Sequence, residues 1–367
     1  MPTLYRNPRT IRRGEPRFCS RDPIAFHRRL PGYTPTPLVD APGIAERLGL
    51  ARVLVKDESC RFGLPSFKLL GASWAIYRAL IQRFGELEPW SSLEEVSRKL
   101  AHLEPLTLAA ATDGNHGRAV AHMARLLGLG ARVFVPTGTA AARIRAIESE
   151  GAEVEIVDGD YDAAIRRSAG EDSPGCLVVD DTSWPGYEEI PRSVIEGYST
   201  IFWEIEAQCD AAPNAVFIPL GVGALGAAAA DFFGNSDRVR VIGVEPESAA
   251  CVQASLRAGR VVTIPGPHPS IMAGLNCGTP SSIAFPALLE GLDTCIAVSD
   301  LDAEEAMRVL ASCGIVSGET GAAALAGLQA APRDELGLDF TSTVVVLCTE
   351  GATDPESYER IVGGSLT

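Results

Sequence analysis

Along this chain, stretches that are apolar on successive positions alternate with stretches apolar at every third or fourth position. The first kind comprises RVLVK at 52–56, TLAAA at 107–111, ARVFV at 131–135, AEVEIV at 152–157 and CLVV at 176–179. AVFIPL at 215–220, RVRVIGV at 238–244 and TVVVLC at 343–348 continue the series. Such runs are those of strands buried on both faces, as in a parallel sheet covered by helices. The second kind is clearest at 67–84, FKLLGASWAIYRALIQRF, which ends against Gly85. That pattern predicts a helix beginning at or near Phe67, with Lys68 in its first turn. Strand and helix in alternation predict an α/β chain with doubly wound parallel sheets.

No repeat period is visible and no low-complexity tract is long enough to be a linker, so the domains are expected to be interwoven. We divide them into a larger domain made of 1–75 and 190–367 and a smaller one inserted at 76–189. The charge-rich stretch 86–99 reads as a solvated connection and surface helix, and 265–269 (PGPHP) and 279–282 as loops. The length of 367 residues suits two α/β domains of ordinary size.

Composition narrows the function classes. Acidic residues number 47 against 32 basic, a net charge of −15, which is the wrong sign for binding a nucleic-acid backbone. The uncharged run at 215–230 is broken by Pro219 and several glycines and is too short to span a bilayer, so no membrane partner is expected. The arginine-rich N-terminal segment lacks the apolar core of a secretory signal, and the expected compartment is the cytoplasm. Nine cysteines, widely spread and without a C-x-x-C pair, suggest neither a disulfide framework nor a zinc ribbon. Five histidines form no H-x-x-x-H or H-E-x-x-H pattern, so no metal site is expected.

Three constellations carry chemistry. Gly221-Val222-Gly223-Ala224-Leu225-Gly226 follows a strand-like run and opens an alanine-rich helix, with Glu245 about twenty residues on, a spacing that fits a dinucleotide fingerprint. Backbone amides at a helix start suit any phosphorylated ligand, and small residues there also permit plain helix–sheet packing. Lys68 stands among apolar residues at a loop-to-helix junction. It is either a snorkelling surface lysine or one held in the interior to form an imine with an aldehyde. Thr112-Asp113-Gly114-Asn115-His116-Gly117 follows a predicted strand, at the end where parallel sheets bind ligands. There Asp113 is either a ligand contact or a helix N-cap, and Asn115 either a contact or a turn residue.

In this order the lysine, the Asn-bearing turn and the glycine loop resemble the fold-type II pyridoxal phosphate enzymes, the class of the tryptophan synthase β subunit. The finer resemblance is to diaminopropionate ammonia-lyase, carried by KDES-x-RFGL at 56–64, FKLLGAS at 67–73, ATDGNHGRAVA at 111–121, DTSWPGY at 181–187, VEPESAAC at 244–251, IMAGLNCG at 271–278, SGETGA at 317–322 and TEGATDPESY at 349–358. These segments span most of the chain. Two departures stand out: Pro65-Ser66 where Asn-Ala is expected before Phe-Lys, and Ala224 where a polar residue often lines the phosphate cup.

The resemblance implies two doubly wound domains with pyridoxal 5'-phosphate between them. It carries the cofactor's Schiff base to Lys68 and the ring-hydroxyl contact to Asn115. The phosphate cup falls on Gly221, Val222, Gly223, Ala224 and Leu225, and the ring-nitrogen partner on Thr349. A neutral hydroxyl at that nitrogen favours β-elimination over transamination. Asp113 and Asp181 match the two substrate-side aspartates: Asp181 for the distal amine, Asp113 for the α-proton of the D-isomer, with Lys68 serving the L-isomer. Asp181 also reads as a possible helix cap. The implied reaction is elimination of ammonia from 2,3-diaminopropionate by a homodimer, with Cys251 and Cys277 as buried thiols. A serine or threonine dehydratase or a β-replacement synthase uses the same scaffold. From other classes, the glycine loop keeps a nicotinamide oxidoreductase open, and the fold a catalytically silent binding protein.

Overall fold

The apolar runs pair into two separate sheets. The structure is a computed structural model that describes residues 2–11, 16–85, 87, 89–102, 105–234, 236 and 238–363. Glu86 and Glu88, of the stretch read as a solvated connection, and Arg12, Arg13, Gly14 and Glu15 of the arginine-rich segment lie outside the described residues. In chain order the strands are β1 (Thr3–Arg6), β2 (Leu38–Asp40), β3 (Arg52–Asp57), β4 (Thr107–Ala111), β5 (Gly130–Pro136), β6 (Glu153–Val157), β7 (Cys176–Val178), β8 (Ala215–Pro219), β9 (Arg240–Pro246), β10 (Thr294–Val298) and β11 (Thr343–Cys348). One sheet has the order β1-β10-β9-β8-β11-β3-β2 and the other β6-β5-β4-β7.

Every strand read from the sequence is present. β1, β2 and β10 were not read: β1 and β2 are short edge strands that pair antiparallel with β10 and β3, and β10 is a five-residue run, TCIAV, in which Cys295 and Ala297 separate the β-branched residues. All other pairings are parallel. Successive side chains of the large sheet enter different cores, as the period of two demands. Val53, Val55, Phe217, Val344 and Val346 pack with the helices Asp300–Ser312 and Glu319–Ala330. Leu54, Val216, Ile218, Val345 and Leu347 face the helices Lys68–Phe84, Glu189–Gln208 and Ala224–Phe233.

Two features set the start of the helix Lys68–Phe84. Arg61 donates to Glu58 at 2.7 and 2.9 Å and to Glu204 at 2.8 Å twice, while Lys56 donates to Glu204 at 2.7 Å. Two cations and two carboxylates are thus buried and mutually neutralised, which is the condition for keeping charge in a core. They tie β3 and the loop before Lys68 to the helix Glu189–Gln208. That helix then meets Lys68–Phe84 at a pair of glycines. A Cβ on Gly71 would stand 2.5 Å from Tyr198 Cε1; one on Gly197 would collide with Leu70 O and lie 2.8 Å from Gly71 Cα.

Gly197→Ala is therefore an overpacking change at the point that places Lys68. We expect it to cost about 1–3 kcal/mol of stability. The measurement is the denaturation midpoint, with cofactor content recorded alongside; an unchanged midpoint and full cofactor loading refute the close contact.

Candidate active site

Each sequence-predicted residue follows the C-terminal end of a strand or starts a helix. Asp113 and Asn115 follow β4, Asp181 follows β7, Gly221–Leu225 follow β8 and Thr349 follows β11. Lys68 is the first residue of its helix, after an N-cap, Phe67, that makes no side-chain cap bond. The C-terminal ends of both sheets open on one cleft, lined by Lys68, Asp113, Asn115, Asp181, Gly221, Val222, Gly223, Ala224, Leu225 and Thr349 together. All ten residues singled out in the sequence share this cavity.

The alternatives left open by the sequence are resolved locally. Lys68 is not a snorkelling surface residue: its side chain is 19% exposed and Nζ donates to Asp181 Oδ2 at 2.6 Å. Asp113 caps nothing, since the helix Asn115–Leu127 begins after Gly114 without a side-chain cap. No helix starts at Asp181; the chain turns through a clip in which Trp184 and Tyr187 stack with centroids 4.1 Å apart, and the next helix begins at Glu189. Glu245 is fully buried, accepting from Val252 N at 2.7 Å, Gln253 N at 2.8 Å and Cys295 Sγ at 3.1 Å. Its carboxylate holds the start of the helix Cys251–Ala258 and, with no exposed surface and no place in the cleft lining, is out of reach of a ribose.

Charge in the cleft is set by burial and by the Lys68–Asp181 pair. Burial works to raise the Asp181 carboxyl, but Lys68, His116 and Tyr161, which donates at 3.0 Å, hold it well below the usual carboxylate range. Burial equally works to lower the Lys68 ammonium, and Asp181, Tyr198 and Asp113 raise it instead. Asp113 is pushed up by burial against the pull of Lys68 and Arg143. His116 is kept toward its neutral form by burial, with Nε2 2.7 Å from Val179 O. Among the described residues, no group of three or more His, Cys, Asp or Glu could hold a metal ion.

The cleft fits a pyridine phosphate. The helix Ala224–Phe233 starts at Gly223, φ +92°, without a side-chain cap, so its first amides face the cavity free for an anion. A Cβ on Gly223 would lie 2.5 Å from Leu288 Cδ1, so only glycine fits the turn. Lys68 supplies an amine and Asn115 an amide, and Thr349, 2% exposed, supplies a neutral hydroxyl.

Residues that the sequence reading did not single out also line the cleft, Tyr161, Tyr198, Thr320 and Glu350, together with Cys277, which it expected as a buried thiol. Tyr198 Oη and Glu350 Oε1 are buried without hydrogen-bond partners. Glu350, directly after Thr349, and Thr320, within SGETGA, each lay in a segment that carries the family resemblance. Cys251 and Cys277 are both free buried thiols, and Cys251 Sγ lies 3.8 Å from Gly221 O.

A family model described as pyridoxal-phosphate dependent enzyme matches residues 29–350, and the chain belongs to that family. Its cofactor is pyridoxal 5'-phosphate and its architecture fold-type II. The diaminopropionate ammonia-lyase of Escherichia coli is 35% identical over 357 residues, covering 92% of this chain and 89% of that one. That of Salmonella typhimurium is 34% identical over 368 residues, covering 92% and 90%. The crystal structure of the E. coli enzyme in complex with D-serine matches at a TM-score of 0.92 and 33% identity, covering 99% of this chain and 97% of that chain.

Beside Asp181 stands a carboxyl of opposite character. Asp180 is fully buried, accepts from Ala111 N at 2.7 Å, and is pushed up to about 8 by burial. An acid whose pKa is raised on folding contributes stability that is full below its unfolded value, about 3.9, and lost as pH climbs toward 8. Asp180→Asn keeps the acceptor for Ala111 without the ionisation. The melting temperature of the variant, relative to the parent, should rise steadily between about pH 4 and pH 8; a difference that is flat with pH contradicts a buried neutral Asp180.

Proposed function

We propose that this chain eliminates ammonia from 2,3-diaminopropionate, taking one substrate and one water to pyruvate and two ammonia. The observation that carries the reading is the 2.6 Å contact between Lys68 Nζ and Asp181: the carboxylate assigned to the substrate's distal amine already accepts from a primary ammonium inside the cleft. The similarity to the diaminopropionate ammonia-lyases of E. coli and S. typhimurium supports it. When bound, pyridoxal phosphate supplies the electron sink for charge released at the α-carbon.

The protein's residues do the rest. Lys68 holds the cofactor through its amine and takes the α-proton of the L-isomer; Asp113 takes that of the D-isomer. Asp181 pairs with the distal ammonium and orients the β-carbon. The amides of Gly221, Val222, Gly223, Ala224 and Leu225 hold the phosphate, Asn115 the ring hydroxyl and Thr349 the ring nitrogen. The same reading includes the division into 1–75 with 190–367 and an inserted 76–189, supported by sheet membership, since the strands of the four-stranded sheet all fall within 107–178. It also includes a homodimer and a cytoplasmic setting, which nine unpaired cysteines suit. No helix among the described residues is long and apolar enough to cross a membrane.

The test is a screen of the holoenzyme for pyruvate and ammonia from both isomers of diaminopropionate and of serine, with 2-oxo-acid release from threonine alongside. Activity on threonine with none on diaminopropionate overturns the proposal in favour of a dehydratase. Lys68→Ala should abolish both turnover and borohydride fixation of the cofactor to the chain; a persisting adduct moves the site to another lysine. Asp181→Asn should slow diaminopropionate by two to four decades, the effect of breaking a buried pair at about 3–5 kcal/mol, and serine much less. Equal loss on both substrates makes Asp181 a structural residue. Asp113→Asn should slow the D-isomer far more than the L-isomer, and equal slowing removes the two-base scheme.

A further inference from the structure

Glu350 is the one carboxylate in the cleft with no part in the reaction as described. It follows Thr349 at the end of β11 and is 1% exposed. Its Oε2 accepts from Asn115 Nδ2, across from the other sheet, while Oε1 is buried without a hydrogen-bond partner. Burial pushes its carboxyl up, and Arg143 opposes that. A carboxylate this deep costs free energy that an apolar side chain of the same size would not.

The surroundings make Glu350 a rigid post. Gly318 N donates to Glu350 O at 3.1 Å, Gly351 N to Pro65 O at 3.0 Å, and Ser66 bridges Glu350 in the antiparallel sense. Phe67 N donates to Thr349 O at 3.4 Å, so the same short segment is sewn to the loop that ends at Lys68. Space is reserved for it: a Cβ on Gly318 would stand 3.0 Å from Glu350 Oε1, and one on Gly321 would collide with Glu350 O. The fixed carboxylate bonds one side chain across the cleft, Asn115, with the Thr320 hydroxyl and the Arg143 guanidinium as its other polar neighbours.

We propose that Glu350 is the positioning residue that aims Asn115 at the cofactor. A primary amide carries two Nδ2 hydrogens; Glu350 takes one and thereby fixes the rotamer that leaves the second for the ring hydroxyl. The inference rests on the role given to Asn115 above. It also joins the Asn115 turn of one sheet to the Thr349 and Lys68 segments of the other, so the three cofactor contacts share one support.

The experiment compares Asn115→Ala, Glu350→Met, Glu350→Gln and the double variant Asn115→Ala with Glu350→Met. Cofactor dissociation constants are measured by dialysis, visible absorption maxima are recorded on the bound forms, and thermal melts report folding. Met and Gln fill nearly the same volume, so only the acceptor differs; Glu350→Ala repeats the test without bulk. Glu350→Met and Asn115→Ala should each weaken cofactor binding about tenfold and shift the maximum, the effect of one lost hydrogen bond. The double variant should bind within about threefold of Asn115→Ala alone, since removing the post costs nothing once its load is gone. Glu350→Gln should stay within about threefold of the parent. Parent-like binding by Glu350→Met, losses that multiply in the double variant, or a Gln variant no better than Met each overturn the proposal, a role in sealing the two sheets alone being one way to those results. If Asn115→Ala itself binds cofactor as the parent does, the assignment of Asn115 fails first and this inference with it.

Discussion

The interaction on which the site depends is an ammonium and a carboxylate 2.6 Å apart in a mostly buried cleft, one from each side of the two-sheet junction. Lys68 belongs to a helix packed on the large sheet, and Asp181 follows the edge strand β7 of the small one. Neither charge is tolerable there alone, because an unpaired buried ion costs several kcal/mol, about 3–5 when one partner is removed. Any use of the Lys68 amine as a nucleophile withdraws its N–H groups from Asp181. The carboxylate then keeps the Tyr161 hydroxyl but loses its cation, and a second ammonium, such as the distal amine of the proposed substrate, would restore the pairing that the lysine gives up.

Three aspartates near the cleft show how much the surroundings decide. Asp181 has a cation and a tyrosine hydroxyl against it and stays ionised far into acid. Asp180, its chain neighbour, has a backbone amide and no cation, and is pushed up to about 8. Asp113 lies between, raised by burial while Lys68 and Arg143 draw it down. Of the three, Asp113 is neither locked in an ion pair like Asp181 nor tied to a strand end away from the cleft lining like Asp180, which suits it to the proton transfer proposed for it.

What the sequence made legible divides along physical lines. Strands buried on both faces announce themselves as continuous apolar runs, and eight were readable; the edge strands β1 and β2 are half exposed and only three or four residues long, and β10, though buried, is a single five-residue run that its composition does not set apart from its surroundings. Eight of the ten cleft residues were legible locally because glycine turns and a lysine among apolar neighbours are unusual for packing alone, while Asp181 and Thr349 were legible only through the family resemblance. Tyr161, Tyr198 and Glu350 were not, since a tyrosine or glutamate in a helix or after a strand looks the same whether it faces water or a cavity. The close contact of Gly71 with Gly197 was equally invisible, being a relation between positions 126 residues apart in sequence, 197 less 71.

The glycine loop marks the limit of local reading. A phosphate cup made of backbone amides has no side chain to name its ligand, so Gly221–Leu225 is compatible with a dinucleotide, a pyridine phosphate or simple packing. The decision falls to residues elsewhere. A dinucleotide site needs a free acid at the end of the next strand, and Glu245 is consumed there by two amides and a thiol. A pyridine phosphate needs an amine, an amide and a neutral hydroxyl within reach of the same cup, and the chain delivers Lys68, Asn115 and Thr349 from three separate elements to one cavity. Specificity in this fold is therefore a property of how the two sheets face each other, and only the tertiary structure brings those groups to the loop.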